Sequence, residues 1–195
     1  MDRQIRSHRY MHYVSAAAVV AATFCVSAPV DAQQAANNAA VDRGRYLVRI
    51  TGCHDCHSPK VQGMTPNLDL ALSGRPASTQ LPSETKTEVH ASADLTAWTG
   101  PWGYSVASNL TPDPATGIGT RYNEASFIAT MRTGKKPNGT AIMPPMPSEV
   151  YQNMTDDDLK AIFAYLRTIK PIRNAVLAGL KLPAAPKPGA EPTKK

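Results

Sequence analysis

The five residues Cys-His-Asp-Cys-His at positions 53–57 limit what this 195-residue chain can fold around. Two cysteines separated by two residues, with a histidine directly after the second, are typical of three kinds of site: a redox-active disulfide, half of a zinc site, or the attachment site of a c-type haem. The only other cysteine is Cys25, in the apolar N-terminal stretch. The rest of the chain decides among the three.

The sequence lacks features that two of the three kinds of site require. A thioredoxin-like redox centre follows a strand and opens a helix within an alternating strand and helix pattern, which the residues around Cys53 do not have. A structural zinc site needs about four ligands. Besides one of His54 or His57, the chain after residue 32 offers only His90 and carboxylates, with no second cysteine pair. The residues therefore favour haem.

The haem interpretation has a geometric reason. Residues three and four apart share one face of a helical turn, so Cys53 and Cys56 can form thioethers with the two vinyl groups while His57 faces the iron. The single motif predicts one covalently attached haem c, with its iron, per chain. We expect His54 to be a spacer that points away from the iron.

Residues 1–32 have the pattern of a secretory signal peptide. A basic start precedes an apolar run from Val14 to Val26, and "SAPVDAQQ" resembles a signal-peptidase site. We predict cleavage after Ala32 and a periplasmic location. The alternative is a membrane anchor, but the run of about 13 residues is shorter than the roughly 20 that a spanning helix needs. Lipidation of Cys25 is disfavoured because bulky Phe24 precedes it.

Three stretches have helical periodicity. The first is residues 40–52, where Gly44 allows close approach of another element and the apolar positions are Val41, Tyr46, Leu47 and Ile50. The second runs from Tyr122 or Asn123 to a left-handed cap at Gly134, and we expect it to bury Phe127, Ile128 and Met131. The third begins after an N-cap at Thr155, stops at Pro171, and has the apolar stripe Leu159, Ile162, Phe163 and Leu166.

These helices define one domain. Residues 39–174 form it, while residues 33–38 and the Pro- and Lys-rich tail 175–195 have too little apolar material to fold alone, and we expect both to be flexible. The predicted fold class is all-α, with three core helices around one haem and long loops between them.

Beyond the motif, the chain resembles the class I cytochromes c. The helical "VDRGRYLVRITG" before "CHDCH", then "SNLTPDPATGIG", "YNEASFIATMRTGK", "AIMPPMP" and "MTDDDLKAIFAYLRTIKPI", occur in the order seen in small bacterial c-type cytochromes. They are similar to the cytochrome domains that accompany periplasmic dehydrogenases. The resemblance spans roughly residues 39–174 and is weakest over 60–99. It implies the class I cytochrome fold, with the first and last helices packed together.

The sixth position on the iron separates an electron carrier from a ligand binder or a catalyst. Met131 and Met154 are expected to fill the core, and Met64 lies only seven residues past His57. The proline-rich turn "AIMPPMPSE" can present a thioether rigidly. The residues leave both of its methionines, Met143 and Met146, open as ligands.

The resemblance implies Met146, because similar domains carry a proline-flanked ligand methionine before the last helix. His90 is the rival, which would give bis-histidine ligation, but its polar surroundings indicate an exposed loop. In "WTGPWGYSVASNLTPD", Trp98, Trp102, Asn109 and their neighbours are expected either to contact a haem propionate or to pack as an aromatic core.

We therefore predict a periplasmic electron-transfer protein rather than an enzyme, ligated by His57 and Met146. The resemblance implies redox partners: a periplasmic dehydrogenase as donor and a terminal oxidase or another cytochrome as acceptor. Neither nucleic acid nor stable membrane insertion is expected. The formal net charge of +6 can favour an acidic partner surface, or can reflect only the Lys-rich tail. Two alternatives are a haem enzyme or gas sensor with an open sixth site, and an obligate subunit of a dehydrogenase complex.

Overall fold

The computed structural model describes residues 30–61 and 64–180. In chain order its elements are helices α1 (Val30–Ile50) and α2 (Cys53–His57), a 3-10 helix (Leu68–Leu70), strands β1 (His90–Ala91), β2 (Ala97–Gly100) and β3 (Gly103–Val106), and helices α3 (Glu124–Thr133), α4 (Ser148–Tyr151) and α5 (Asp156–Leu166). Residues 1–29 of the predicted signal peptide and residues 181–195 of the predicted tail lie outside the described residues. None of the helices in the described ranges is long and apolar enough to span a membrane.

Helices α1 and α5 pack against each other through a glycine. A Cβ atom on Gly44 would lie 1.9 Å from the carbonyl oxygen of Ala161, so only glycine allows this approach. The predicted role of Gly44 and the predicted partner of the first helix are both confirmed. This contact fixes the segment that leads into α2.

The buried face of α1 differs from the predicted one. Leu47 and Val48 are buried, whereas Tyr46 is 53% exposed and Ile50 is 59% exposed. Residues three and four positions from the contact at Gly44 share its face, while positions 46 and 50 lie to the side. Placing Tyr46 and Ile50 in the stripe was therefore wrong.

Helix α1 begins ten residues before the expected start at residue 40. Residues 33–38, predicted to be a flexible segment, are helical in the structure, and the predicted cleavage point after Ala32 falls within α1. The segment is rich in alanine, the residue that most favours helix. Side-chain hydrogen bonds at helical spacing join Gln33 to Asn37 at 3.2 Å and Gln34 to Asn38 at 3.1 Å.

The other two core helices begin where the sequence places them. Asn123 caps α3 and accepts a hydrogen bond from the amide of Ser126, and Gly134 ends it with a φ of 64°. Thr155 caps α5 and accepts from the amide of Asp158. Helix α5 ends at Leu166, before the stop expected at Pro171. All four residues of its predicted stripe are buried: Leu159, Ile162, Phe163 and Leu166.

One apolar core lies among α1, α3 and α5. Its buried members are Leu47, Val48, Leu72, Ile118, Phe127, Ala161, Ile162, Phe163 and Leu166. Met131 and Met154 are partly buried and pack against this cluster, as predicted. Both thioethers therefore serve packing.

The all-α expectation needs correction, because the chain also forms a three-stranded antiparallel sheet in the order β1-β2-β3. Trp98 pairs with Ser105, and the tight turn into β3 uses Gly103 at a φ of 97°. His90, expected in a loop, lies in β1. Strands of two to four residues offer too few alternations to identify from sequence.

The chain stays attached to the domain past residue 174, where the flexible tail was expected to begin. Arg75 is fully buried, and its guanidinium donates to the carbonyl oxygens of Val176 at 2.5 Å and Ala178 at 3.2 Å. The segment is therefore bonded to the domain as far as Ala178.

Candidate functional site

The motif residues lie on helix α2, a single turn of helix. Gly52 precedes it with a φ of 75°, a left-handed conformation that glycine adopts without strain. Cys53 and Cys56 carry free, half-buried thiols, and His57 is buried. Burial raises the pKa of both thiols.

His57 is oriented by a hydrogen bond to a distant loop. Its Nδ1 lies 2.8 Å from the carbonyl oxygen of Ser108. A carbonyl can only accept, so Nδ1 carries the proton and Nε2 keeps the lone pair that can bind a metal. Burial lowers the pKa of His57, which keeps the ring neutral. This arrangement is that of a metal-binding histidine held by a backbone acceptor.

The backbone carbonyls of α2 have partners that sequence reasoning missed. The ammonium of Lys60 donates to the carbonyl oxygens of His54 at 3.1 Å, Asp55 at 2.6 Å and Ser58 at 2.7 Å. The amide of Gly74 donates to the carbonyl of His57 at 2.8 Å. A basic residue just past a short helix was the available sequence signal for Lys60.

The His54 side chain has a partner next to the motif. Its Nδ1 lies 2.9 Å from the hydroxyl of Ser58, which also accepts the amide of Leu72 at 2.9 Å. The side chain of His54 is therefore used to hold α2 against the following loop.

A buried polar network fixes the loop that supplies Ser108. Asn109 is fully buried, and its amide donates to the carbonyl of Ile172 at 2.7 Å and to the hydroxyl of Thr116 at 3.1 Å. Its oxygen accepts from the amide and hydroxyl of Thr111 at 2.9 and 2.7 Å. The side chains of Asn109 and Thr111 are thus engaged within the protein.

Met146 lies in a turn that two hydrogen bonds tether, and a third bond follows it. The amide of Ile142 donates to the carbonyl of Gly134 at 2.7 Å, and the hydroxyl of Ser105 donates to the carbonyl of Pro144. After the turn, the buried hydroxyl of Tyr151 donates to the carbonyl of Thr51 at 2.6 Å. This last bond joins α4 to the turn that begins the cysteine motif.

The rival ligands lie in other surroundings. Met146 is half-buried, whereas Met143 is 37% exposed and Met64 is 61% exposed. Both ring nitrogens of His90 have partners: Nε2 lies 2.9 Å from a carboxylate oxygen of Glu88, and Nδ1 lies 3.2 Å from the carbonyl of Ser83. Met143 and Met146 share the turn that precedes α4, which Tyr151 joins to the motif.

Two buried polar atoms could bond to a further group. Within the described ranges, the buried indole nitrogen of Trp102 and the buried hydroxyl of Ser148 have no hydrogen-bond partner. An unpaired buried donor is costly, so a partner from outside the polypeptide would stabilise it. Ser148 directly follows the Met146 turn. No group of three or more His, Cys, Asp or Glu side chains in residues 30–61 and 64–180 is arranged to hold a metal ion.

Comparison with known proteins gives a consistent result. A family model described as Cytochrome c matches residues 41–170. The chain is 33% identical over 159 residues to the gluconate 2-dehydrogenase cytochrome c subunit of Pantoea cypripedii, covering 81% of this chain and 29% of the relative. It is 30% identical over 140 residues to the cytochrome c subunit of the quinone alcohol dehydrogenase of Gluconobacter oxydans, covering 71% and 23%. The chain thus spans less than a third of the length of these relatives.

Proposed function

The chain belongs to the cytochrome c family, and we propose that it carries single electrons between proteins, with His57 and Met146 as the two axial ligands of its iron. The family has the class I cytochrome fold, and this chain contains the sheet β1–β3 beside its helices. Its cofactor is covalently attached haem c, for which Cys53, Cys56 and His57 fit the C-x-x-C-H motif. When bound, the haem accepts one electron as ferric iron and gives it up again as ferrous iron.

The hydrogen bond between His57 Nδ1 and the carbonyl of Ser108 carries this proposal. It leaves the lone pair of Nε2 free to bind the iron. It also makes the imidazole more basic, because the Nδ1 proton is held by a carbonyl. Cys53 and Cys56 would supply the two thioether sulfurs from the same turn of helix. The unpaired indole N–H of Trp102 would donate to a propionate carboxylate.

On the opposite side, the thioether of Met146 would complete the ligand set. A thioether favours the ferrous state and raises the potential relative to a second imidazole. Three prolines in the turn "MPPMP" restrict its backbone, so ordering the turn costs little entropy. The chain's own residues would thus keep both oxidation states six-coordinate and leave no site for a substrate, which is why we propose a carrier rather than an enzyme.

We also propose that the protein is exported to the periplasm and that its partners are redox proteins. The N-terminal pattern of residues 1–32 supports export. Relatives named as cytochrome subunits of gluconate, alcohol and fructose dehydrogenases support a dehydrogenase as the electron donor. An oxidase or a second cytochrome would then be the acceptor.

A second candidate function is a permanent subunit of a dehydrogenase complex, and the same observation favours it, because the relatives are named as subunits. The haem chemistry would be unchanged. Purification of the protein from its own cells at low salt and at 0.5 M salt separates the two functions, since a small redox contact is lost at high salt and an obligate interface is retained.

The ligand proposal is tested by optical spectra of the haem-loaded protein in ferric and ferrous forms, with and without carbon monoxide. We expect a methionine-to-iron charge-transfer band in the ferric parent and no carbon monoxide response in the ferrous parent. Met146→Leu should lose the band and bind carbon monoxide. Met143→Leu is the matched control from the same turn and should behave as the parent. If the parent lacks the band and binds carbon monoxide rapidly, the haem enzyme or gas sensor is favoured instead.

A further inference from the structure

The segment 172–178 lies beyond the last helix and beyond the residues matched by the family model, yet it is bonded to the two loops that hold His57. We propose that this segment, here called the strap, positions the proximal histidine, and that Asn174 and Arg75 are its positioning residues. The proposal rests on the role of His57 as an iron ligand.

Asn174 joins the strap to the loop on one side of His57. Its side-chain amide donates to the carbonyl oxygens of Ser73 and Arg75, both at 2.8 Å. Between these two acceptors lies Gly74, whose amide donates to the carbonyl of His57. One side chain of the strap therefore holds both neighbours of the residue that bonds directly to the histidine backbone.

Arg75 bonds the strap to a loop of the domain. Its guanidinium donates to the carbonyls of Val176 and Ala178 in the strap and of Ala77 and Thr79 in its own loop, and it makes no ion pair within the described part of the chain. Its backbone amide donates to the carbonyl of Ala107 at 3.1 Å, the residue before Ser108. The same residue thus touches the strap and the loop that supplies the acceptor of His57.

The strap also holds the second loop directly. The amide of Asn174 donates to the hydroxyl of Thr116 at 2.9 Å, and the amide of Ile172 donates to the hydroxyl of Thr111 at 3.1 Å. Both threonines bond to Asn109, the neighbour of Ser108. Removing the strap would therefore free both the Gly74 loop and the Ser108 loop, and the Nδ1 hydrogen bond of His57 would weaken with them.

The test is Asn174→Ala in the full haem-loaded chain, with Asn153→Ala as the matched control. Asn153 also donates its amide to a backbone carbonyl at 2.8 Å, that of Glu149, but it lies outside the strap. Amide exchange at Gly74 and Arg75 should be at least about tenfold faster in Asn174→Ala, because the variant loses both side-chain hydrogen bonds to this loop. The Nδ1 proton of His57 in the ferrous protein should exchange faster as well.

The reduction potential distinguishes positioning from ordinary stabilisation. A weaker Nδ1 hydrogen bond makes the imidazole a poorer donor, which favours ferrous iron, so the potential should rise in Asn174→Ala and stay at the parent value in Asn153→Ala. Arg75→Lys keeps the charge but loses the forked contacts, and it should raise the potential too.

An unchanged potential in Asn174→Ala would overturn the positioning role of the strap even if exchange at Gly74 and Arg75 is faster. Unchanged exchange at these two amides would show that Asn174 does not hold the loop. Exchange at these two amides does not depend on which residues bind the iron. A parent protein without the methionine band would therefore contradict the proposed Met146 ligation alone. The exchange rates and the potential of Asn174→Ala, each compared with that parent, would still decide the strap.

Discussion

The side of the site that carries the cysteine motif and the side that carries Met146 are held in different ways. On the motif side, the His57 ring, the α2 carbonyls and the fully buried Asn109 all have protein partners. The Met146 turn is half-exposed, and single hydrogen bonds at its edges tether it. We infer that the proximal geometry is over-determined, while the distal ligand is held by a few separable contacts.

This asymmetry suits the proposed chemistry. A rigid proximal side keeps the cofactor in place and sets the basicity of His57, which tunes the potential. A turn restricted by Pro144, Pro145 and Pro147 keeps its shape with few hydrogen bonds, because little conformational entropy opposes its ordering. Substitutions on the motif side should therefore lower the free energy of unfolding or prevent haem attachment. Substitutions in the Met146 turn should mainly alter exchange of the sixth iron ligand.

The largest effect is expected from Cys53→Ala combined with Cys56→Ala. With both thioether sulfurs gone, no covalent attachment is possible, so haem staining after denaturing electrophoresis should disappear completely. Met146→Leu is the control from the other side: it should keep full covalent staining, because the ligand turn plays no part in attachment. Persistent covalent haem in the double variant would contradict the attachment site.

A large loss of stability is expected from Asn109→Ala. The substitution removes the buried hydrogen bonds that the Asn109 side chain makes with Ile172, Thr111 and Thr116, which should lower the free energy of unfolding by about 3 kcal/mol. Denaturant unfolding of the haem-loaded protein measures this change.

Asn153→Ala is the control for the stability loss in Asn109→Ala. It removes one exposed amide hydrogen bond and should lower the free energy of unfolding by no more than about 1 kcal/mol. Equal losses in the two variants would contradict the view that the motif side holds most of the polar stabilisation.

Tyr151→Phe should loosen the link between the two sides. The buried hydroxyl donates to the carbonyl of Thr51, and its loss should lower the free energy of unfolding by about 1–2 kcal/mol. Burial raises the pKa of Tyr151 to about 12. Above pH 10 the unfolded chain ionises this phenol while the folded chain does not, so its contribution to stability is present below pH 10 and lost as the pH approaches 12.

The alkaline part of this stability loss should be absent in Tyr151→Phe, since phenylalanine has no proton to release. Tyr46→Phe is the control, because Tyr46 is more than half exposed. Unfolding midpoints measured between pH 8 and pH 12 make the comparison. A Tyr151→Phe profile that falls as steeply as the parent profile would show that Tyr151 is not the titrating group.

The sequence predicts some parts of the fold better than others. Local signals worked well: a capping side chain locates the start of α3 at Asn123, and Gly44 marks the contact with α5. The rotation of α1 was missed because Tyr46 and Ile50 have the hydrophobicity of a core residue but not its position relative to Gly44. Binary pattern alone does not contain that information.

The partners of His57 were not predictable for another reason. Ser108 lies 51 residues along the chain and contributes a backbone carbonyl, which any residue type carries. The same holds for the amide of Gly74 and for the carbonyls that Arg75 binds in the strap. Side-chain chemistry can be read from sequence, whereas backbone acceptors brought together by tertiary structure cannot.

The smallest effect is expected from Ser105→Ala, which removes the hydroxyl that β3 donates to the carbonyl of Pro144. The carbonyl can reach water in this half-exposed turn, so the free energy of unfolding should fall by only about 0.5 kcal/mol. Ligand exchange should be more sensitive, because the tether holds the turn and not the core. Imidazole binding to the ferric protein, followed by loss of the methionine band, should become roughly two- to threefold tighter.

Thr168→Ala is the matched control, since Thr168 also donates its hydroxyl to a backbone carbonyl, that of Tyr165 at 2.8 Å, just past the end of α5. It should reproduce the small loss of stability and leave imidazole affinity at the parent value. If Ser105→Ala and Thr168→Ala change imidazole affinity equally, the tether from β3 does not hold the distal turn. The asymmetry between the two sides would then come from the three prolines alone, since they restrict the turn whether or not Ser105 is present.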